Sequence, residues 1–309
     1  MTPHVLVTGG SGLVGHALAA GLTVRVTTRQ KINSTDHRLK QVQTTDLSST
    51  TDWLPALHEI DVVTHCAARV HVMHDTEVDP LAAFRAVNVD GTLNLARHAV
   101  QAGVKRFVFI SSIGVNGSQT AVGKPFSEID KSKPHNAYAL SKWEAEQGLL
   151  RIAAETGLEV VIVRPPLVYG CKAPGNFGSI ARAVQRGWPL PLGAVHNQRS
   201  LVALDNLVDF IVTCITHTQA ANQTFLVSDG QDLSTTELVR GMAQAAGVPA
   251  RLLPVPVWAL QAGAALLGKG DAVQSLCGNL QVDISKARTL LGWLPPVSVE
   301  EGLRRAMAV

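Results

Sequence analysis

The chain has 309 residues, enough for one broad domain or two modest ones. Hydrophobic residues make up 46% and charged residues 17%, the balance of a compact protein and not of a disordered one. The formal net charge of +3 is too small to indicate nucleic-acid binding by itself. The four cysteines have no Cys-x-x-Cys spacing, which favours reduced thiols and a cytoplasmic protein.

Short β-branched stretches alternate with helical periods along the first half of the chain. The predicted strands are 4–8, 23–28, 41–44, 61–65, 105–112 and 159–164. The predicted helices between them are 12–22, 80–102 and 137–156. Strands separated by helices indicate an α/β fold of the Rossmann type, a doubly wound parallel sheet with helices on both faces.

The pattern changes after residue 164, because residues 171–200 are rich in glycine and proline. The elements that we expect to return to the sheet are a strand at 201–204, a helix at 206–217 and a strand at 224–228. Residues 230–309 are mostly helical. We therefore predict a dinucleotide-binding domain of residues 1–170 and 201–229. A smaller, discontinuous and α-rich C-terminal lobe of residues 171–200 and 230–309 is expected to bind the substrate.

The longest apolar stretch near the end of the chain runs from Val255 to Gly268 and is broken by Pro256 and Gln261. It is shorter than the ~20 residues that span a bilayer. Its composition predicts a buried or groove-lining helix. Contact with a membrane surface is the alternative, but the stretch has no basic face to support it. We expect no membrane insertion.

A glycine-rich loop, Thr-Gly-Gly-Ser-Gly-Leu-Val-Gly at residues 8–15, follows the first predicted strand and opens the first predicted helix. Gly9, Gly12 and Gly15 allow a tight turn and a close approach of the backbone to a pyrophosphate. The helix N-terminus adds free N–H groups and positive potential. We therefore predict a dinucleotide site that includes Leu13 and Val14, rather than an ordinary glycine-rich turn.

The residues after the second predicted strand bear on the choice of cofactor. NAD-binding folds usually place a carboxylate there, whereas this chain has Arg29 and Lys31 and no Asp or Glu. Arg29 would bind the extra phosphate of NADP, so NADP(H) is favoured and NAD(H) stays open. The alternative is that both are solvated loop charges. Asp46 and Leu47 are predicted to bracket the adenine, although an exposed loop aspartate fits the sequence nearly as well.

Tyr138 and Lys142 form a Tyr-x-x-x-Lys pair on the predicted helix 137–156. Residues four apart share a helix face, so the two side chains point the same way. A tyrosine is a poor base at neutral pH, but a nearby ammonium and a positively charged nicotinamide favour its phenolate. Ser112 ends the preceding strand and would hydrogen-bond the same substrate oxygen. We predict catalysis by these three residues rather than a chance surface pair.

Several segments together resemble the extended short-chain dehydrogenases/reductases, in the group of nucleotide-sugar epimerases, dehydratases and reductases. They are residues 8–15, Cys66-Ala67-Ala68, Asn88-Val-Asp-Gly-Thr92, Ser111-Ser112, Tyr138-x-x-x-Lys142, Arg164-Pro-Pro-Leu-Val-Tyr-Gly170, Arg199 to Leu207, Asp283-Ile-Ser-Lys286 and Leu291-Gly-Trp293. This resemblance runs nearly end to end. Because the residues Tyr138, Lys142 and Ser112 are all present, it argues against a non-enzymatic dinucleotide sensor.

The resemblance implies roles for individual residues. Tyr138 would be the acid/base, Lys142 would hold the nicotinamide ribose and Ser112 would polarise the sugar oxygen. The residues expected to line the cofactor are Ala67, Ala68, Pro165, Pro166, Leu167 and Val168. Those expected to bind the UDP-sugar are Asn176, Leu192 and Arg199, although a surface ion pair is the alternative for Arg199. Helices 80–102 and 137–156 would form a homodimer interface.

The residues after Ser112 bear on the reaction. Sugar 4,6-dehydratases resemble one another in an Asp-Glu pair there, and this chain has Ile-Gly-Val-Asn-Gly at 113–117 instead. Two reactions remain: reduction of a UDP-linked 4-keto sugar by NADPH, and epimerisation of a UDP-hexose with bound NAD. The segments around Ser112 and Tyr138 also resemble bacterial 4-reductases for UDP-4-keto-6-deoxy-N-acetylhexosamines, which supply surface polysaccharide such as O-antigen. Reduction is therefore the main prediction and 4-epimerisation the alternative. Ser275 stands where many relatives have an arginine for the diphosphate.

A metal site is not predicted. His65, His71, His74 and Asp75 are close in sequence, but they lack the i, i+4 pairing of helical zinc motifs. They fit residues that line the cofactor cleft better.

Overall fold

A computed structural model describes residues 3–21, 24–28, 39–43, 46–70, 79–266, 268 and 270–308. Nine strands lie within these ranges. They are β1 (Val5–Thr8), β2 (Val24–Thr28), β3 (Leu39–Gln43), β4 (Val62–His65), β5 (Arg106–Ile110), β6 (Glu159–Arg164), β7 (Leu167–Tyr169), β8 (Leu201–Ala203) and β9 (Thr224–Leu226). Seven of them form one parallel sheet in the order β3-β2-β1-β4-β5-β6-β9. This is the strand order of a dinucleotide-binding fold, and it confirms the predicted fold class.

The helices lie on both sides of this sheet and in the C-terminal lobe. They are α1 (Leu13–Gly21), α2 (Leu54–Leu57), α3 (Pro80–Arg85), α4 (Thr92–Gln101), α5 (Ala137–Thr156), α6 (Gly175–Gln185), α7 (Leu204–Thr216), α8 (Thr235–Ala245), α9 (Val257–Leu266), α10 (Gly270–Cys277), α11 (Ser285–Leu291) and α12 (Val299–Met307). None of the described helices is long and apolar enough to cross a bilayer.

Three buried clusters hold the molecule together. The first packs α1, α7 and α11 on one face of the sheet, and the second packs α2, α4 and α5 on the other. Both faces of the strands are therefore apolar, as a parallel sheet requires. The third cluster joins α6, α8 and α12 to β7 and β8 and forms the core of the C-terminal lobe. The carboxyl ends of the strands meet at the edge of the sheet next to this lobe, where α/β proteins bind their ligands.

The structure corrects three expectations about local structure. Leu201–Ala203 does not join the main sheet, because it pairs with β7 in a separate two-stranded sheet. The predicted helix 80–102 is continuous but not uniform, since Ala86–Gly91 forms a π-helical turn between α3 and α4. The buried alternative for residues 255–268 is wrong, because Ala264 is the one buried residue of α9 among those that the structure describes.

Candidate active site

The glycine loop has the geometry that its sequence predicts. Gly9 has a φ of +73°, and a Cβ on it would lie 2.7 Å from the backbone nitrogen of Ala67, so only glycine fits there. A Cβ on Gly15 would collide with the carbonyl oxygen of Gly9. Gly12 N donates to Gly9 O at 2.9 Å, which closes the turn just before α1 begins at Leu13.

Gly12 differs from its neighbours in facing open space. A Cβ on Gly12 would have a single neighbour within 4 Å, Gly9 O at 3.3 Å. The loop therefore leaves a backbone-lined hollow in front of the free N–H groups of α1, and a pyrophosphate fits such a hollow. Leu13 packs against the core of the C-terminal lobe and Val14 against the core under the sheet. Their side chains therefore fix the loop, and contact of both residues with the dinucleotide stays a prediction.

His65 at the end of β4 is a structural residue. It is fully buried, with Nδ1 2.6 Å from Thr8 Oγ1 and Nε2 2.9 Å from Thr92 Oγ1. Burial lowers the pKa of His65 to about 3, so the ring is neutral at physiological pH. Among the described residues there is no cluster of His, Cys, Asp and Glu that could hold a metal. His71, His74 and Asp75 lie outside those residues.

Ala67 and Ala68 follow β4 and reach the glycine loop. Ala67 N donates to Thr8 Oγ1 at 3.3 Å, and its backbone is what a side chain on Gly9 would strike. Asn88, in the π-helical turn, accepts from Arg69 N at 2.8 Å and donates to Arg69 O and to Ser141 Oγ, both at 3.0 Å. One buried amide therefore ties this loop to the helix that carries Tyr138 and Lys142. A π turn at such a position is common in functional sites.

Lys142 lies deep in the cleft. Its Nζ donates to Ile110 O at 2.8 Å and lies 4.5 Å from the ring centroid of Phe109, so the ammonium is placed at the end of β5. Burial lowers the pKa of Lys142 to about 8. Cys66, one residue before Ala67, lies close enough for the Lys142 charge to act on its thiol, although burial still raises the pKa of Cys66 to about 12. Lys142 thus reaches the same strand ends as the glycine loop.

Tyr138 begins the same helix face, one turn before Lys142. Asn136 caps the helix by accepting from Ala139 N at 2.8 Å, which fixes the first turn. The Tyr138 ring meets Phe84 edge to face, with centroids 6.0 Å apart. Neighbouring atoms desolvate its phenol and raise the pKa of Tyr138 to about 12. Lys142 does not offset this rise in the pKa of Tyr138 in the protein alone.

Ser112 follows β5 and lies beside that first turn. Its Oγ accepts from Gly114 N at 3.1 Å, and a Cβ on Gly114 would lie 3.3 Å from both Ser112 Oγ and Ala139 Cβ. A side chain at position 114 would crowd both the serine and the start of α5. Ser112 and Lys142 thus both lie at the carboxyl end of β5, and Tyr138 lies one turn before Lys142 on α5. Their joint catalytic role stays a prediction.

A buried ion pair supports this arrangement, and we did not predict it from the sequence. Arg164 forms a two-pronged pair with Glu146, with Nε to Oε1 at 2.9 Å and Nη2 to Oε2 at 2.5 Å. Glu146 also accepts from Ser111 Oγ at 2.5 Å, and Arg164 donates to Asn116 Oδ1 at 2.9 Å. The network ties α5 to the ends of β5 and β6, directly under the catalytic serine. The spacing of Lys142 and Glu146 is the one signal that would have suggested it.

The segment after β6 forms the next wall of the cleft. Pro165 and Pro166 are buried, and Pro165 O accepts from Ile113 N at 3.0 Å, which joins this segment to the serine loop. Leu167 and Val168 lie in β7. Leu167 is exposed and lines a cavity on the lobe side, while Val168 packs against the core under the sheet.

Two of the three predicted substrate residues line one cavity of about 120 Å³ between β7 and the C-terminal lobe. Asn176 Nδ2 donates to Ser275 Oγ at 3.1 Å, and Arg199 donates to Gly278 O at 3.0 Å. Burial lowers the pKa of Arg199, although the group stays a cation because arginine starts so high. A cationic fork and an amide facing one cavity fit a diphosphate.

The same cavity contains residues that we did not predict. Ser234 and Thr235 line it at the N-terminus of α8, where Ser234 and Glu237 form a capping box that the Ser-x-x-Glu pattern reveals. Leu192 does not line it. This leucine is buried in the lobe core, and its carbonyl accepts from Thr236 Oγ1 at 2.6 Å. Contact of Leu192 with a substrate stays a prediction.

The residues expected at the adenosine end are described in part. Arg29 lies outside the described residues, so its contact with a ribose phosphate stays a prediction. Asp46 is exposed and accepts from Leu47 N at 2.7 Å. Leu47 is buried against Gly91, where a Cβ would come within 2.9 Å of Leu47 O. Leu47 thus contributes to the core, and Asp46 is the one of the pair with a free face toward a ligand.

Comparison with known proteins gives the same picture. The model of the NAD dependent epimerase/dehydratase family matches residues 5–228. A UDP-glucose 4-epimerase of Vibrio cholerae is 48% identical over 99% of this chain and 94% of its own length. An N-acetyl-α-D-glucosaminyl-diphospho-ditrans,octacis-undecaprenol 4-epimerase of Escherichia coli O157:H7 is 27% identical over 99% of this chain and 95% of its own.

Solved structures agree in fold. A UDP-glucuronic acid 4-epimerase from Bacillus cereus in complex with NAD superimposes with a TM-score of 0.78 at 21% identity, over 98% of this chain and 95% of the other. A UDP-N-acetylglucosamine 4-epimerase from the same species gives 0.79 at 19% identity, over 99% and 96%. The family match and the 48% identical relative lead to one conclusion: the chain belongs to the NAD dependent epimerase/dehydratase family and is an enzyme of the extended short-chain dehydrogenase/reductase group.

Proposed function

We propose that the protein is an NAD-dependent 4-epimerase of a UDP-linked hexose. The observation that carries this proposal is the 48% identity to a UDP-glucose 4-epimerase along 99% of the chain. It supports the alternative named from the sequence over the main prediction, reduction of a 4-keto sugar. The joint placement of Ser112, Tyr138 and Lys142 supports either reaction, because both move a proton at the oxygen on the fourth sugar carbon.

The residues divide the chemistry between them. Ser112 Oγ hydrogen-bonds the oxygen on the fourth carbon, and Tyr138 takes that hydroxyl's proton and later returns it. Lys142 holds the nicotinamide ribose and supplies positive charge near the phenol. A bound NAD would supply the hydride acceptor and donor for the fourth sugar carbon, and the glycine loop and Lys142 would hold it. Arg199 and Asn176 hold the diphosphate, so that the sugar turns about a fixed anchor.

The high pKa of Tyr138 sets a condition on this mechanism. At a pKa of about 12 the phenol is protonated at neutral pH, so it is ready to act as an acid but not as a base. An epimerase needs the base first. The positive charge of an oxidised nicotinamide beside Tyr138 would therefore have to lower the pKa of the phenol.

Reduction of a UDP-linked 4-keto sugar by NADPH is the second candidate. Two observations favour it: the lack of a carboxylate near Arg29 and a Tyr138 phenol that begins protonated. In this reaction the tyrosine would give its proton to the developing alkoxide. Each turnover would oxidise one NADPH, whereas an epimerase regenerates its bound dinucleotide.

The test begins with the purified protein and no added dinucleotide. UDP-glucose and UDP-N-acetylglucosamine are offered separately, and the sugar products are separated by chromatography. We expect the 4-epimer to form and acid to release NAD from the protein. Net consumption of added NADPH with a 4-keto UDP-sugar, and no epimer from either hexose, would establish reduction instead.

A tyrosine pair provides the matched variants. Tyr138→Phe should lower the rate by roughly 10²–10⁴-fold, because it removes the proton-transfer group. Tyr169→Phe changes the one other tyrosine, which is buried between β7 and α12, and should leave the rate within a few-fold. Equal rates for Tyr138→Phe and the unchanged protein would refute the assignment for both candidate reactions.

A further inference from the structure

The C-terminal lobe exposes an apolar face. On α9, Trp258, Ala262 and Leu266 recur at intervals of four residues and so share one side of the helix. Trp258 is 71% exposed and Leu266 is 89% exposed. The opposite side, through Val257 and Leu260, packs on the lobe core. An apolar helix side facing solvent is unusual in a folded domain and marks a contact surface.

A second segment extends this face. Leu190 N donates to Arg251 O and Leu253 N donates to Leu190 O, both at 2.8 Å, so the turn after α6 runs beside the segment that leads into α9. The two paired segments carry Trp188, 56% exposed, and Leu253, 50% exposed. We call Trp188, Leu253, Trp258, Ala262 and Leu266 the apolar face.

The charges around the apolar face have one sign. The Arg186 guanidinium stacks over Trp188, 5.4 Å from the ring centroid. Arg251 lies beside Gly187, where a Cβ would be 4.0 Å from its guanidinium carbon. The two sequence stretches that build this side of the lobe, 160–204 and 238–270, contain no Asp or Glu, whereas the whole chain has 24. These two stretches therefore bring no carboxylate to this side of the lobe.

We propose that this apolar face docks on the surface of an anionic phospholipid bilayer. Tryptophan is favoured at the boundary between headgroups and acyl chains, and arginine beside it pairs with lipid phosphates. A helix of 10 residues with one apolar side lies in that boundary without crossing the membrane. The arginines supply the basic groups that the sequence of 255–268 lacks.

A second copy of the chain fits this face less well. A two-fold contact through the apolar face would bring Arg186 and Arg251 near their own counterparts, with no carboxylate in either stretch to neutralise them. The predicted homodimer uses other helices, 80–102 and 137–156. The membrane surface supplies both the apolar depth and the negative charge.

Docking would bring the substrate cavity to the membrane. The helix α10 follows α9 along the chain and packs against it, and its residues Ser275 and Leu276 line the cavity with Arg199. A docked lobe therefore holds this cavity close to the headgroup region. This inference does not rest on the proposed epimerase activity, because it concerns the surface of the lobe and not the chemistry at Tyr138.

Co-sedimentation of the full chain with vesicles tests the proposal. Vesicles of phosphatidylglycerol and phosphatidylcholine are compared with vesicles of phosphatidylcholine alone. We expect binding to the anionic vesicles and at least roughly tenfold weaker binding after Trp258→Ser with Leu266→Ser. Arg186→Gln with Arg251→Gln should weaken binding and reduce its dependence on salt.

The control variant is Ile129→Ser, which removes a residue that is 95% exposed on the loop before α5. It should bind vesicles like the unchanged protein. Circular dichroism and epimerase or reductase turnover in solution, which should be unchanged in every variant, show that each one is folded. Absent binding to anionic vesicles would overturn the proposal. So would dimers in solution that Trp258→Ser with Leu266→Ser splits, because a second copy would then cover the face.

Discussion

At the scale of single residues, His65 shows how a polar group is kept inside the sheet. Both ring nitrogens have threonine partners, one from β1 and one from the start of α4. A neutral ring with two hydrogen-bond partners costs little free energy to bury. A protonated ring would carry a positive charge away from water, which costs much more free energy. The sequence predicted a residue that lines the cofactor cleft. Its two partners are far away along the chain, so the pattern could not show them.

His65 predicts a particular sensitivity to acid. Its folded pKa of about 3 is below the unfolded value of 6.5, so the unfolded chain binds more protons between these values. The stabilisation is complete above pH 6.5 and is lost as the pH falls towards 3. Urea unfolding at pH 7, 6, 5 and 4 should therefore show a declining free energy of unfolding. His65→Asn should flatten that decline, and an equally steep decline in the variant would contradict this origin.

At the scale of elements, α5 carries three functions on successive turns. Tyr138 is proposed to face the substrate, Lys142 reaches Ile110 O at the end of β5, and Glu146 pairs with Arg164. Each residue lies four positions after the last, so one helix orientation serves all three. The ion pair thereby fixes the rotation of the helix, and with it the position of the phenol.

Replacing one partner of the ion pair between Glu146 and Arg164 should destabilise the protein more than replacing both partners. Glu146→Leu leaves the Arg164 cation buried without its carboxylate and should cost about 3–5 kcal/mol in the free energy of unfolding. Glu146→Leu with Arg164→Met should recover much of that loss, because neither charge remains to be solvated. Urea denaturation of the three proteins measures both terms. If the double variant were as unstable as the sum of the single ones, the pair would not be coupled.

Two variants of the glycine loop should separate its role in folding from its role in dinucleotide binding. Gly15→Ala should lower the free energy of unfolding, because the new methyl group meets Gly9 O. Gly12→Ala places its methyl group 3.3 Å from Gly9 O, a tight contact that is still 1.0 Å longer than the one at Gly15, so it should cost less stability than Gly15→Ala. It should nevertheless lose dinucleotide binding, because the methyl group fills the hollow. Thermal melting and calorimetric titration with NAD distinguish the two. Tight NAD binding by Gly12→Ala would contradict the proposal that the pyrophosphate binds in this hollow.

At the scale of the whole molecule, local pattern and distance along the chain decide what the sequence can predict. The alternation of strands and helices predicted the sheet, and a spacing of four residues predicted the pair Tyr138 and Lys142. The network of Ser111, Glu146 and Arg164 joins three separate elements. The spacing of Lys142 and Glu146 hints at the position of Glu146, but no local spacing records its partners. The exposed side of α9 was missed for the opposite reason. Apolar composition alone cannot distinguish burial in a core from a surface that another body covers.

Cofactor choice belongs to the whole molecule because binding stabilises the entire fold. A dinucleotide at 100 times its dissociation constant should raise the free energy of unfolding by about 2.7 kcal/mol. If the proposed epimerase is correct, NAD should raise the melting temperature at lower concentrations than NADP. Arg29→Ala should weaken only NADP if that arginine binds the ribose phosphate. A larger shift with NADP in the unchanged protein would favour the reductase.

The π-helical turn at Ala86–Gly91 limits how this part of the chain can change in length. An α-helix turns by about 100° per residue. The wider π-helical turn contains a surplus residue, which changes the rotation of α4 about the helix axis relative to α3. Deleting one residue there would give a regular α-helix, but it would also rotate Leu95 and Ala96 out of the hydrophobic core. Homologous chains should therefore tolerate substitutions in this turn far better than insertions or deletions that change its number of residues.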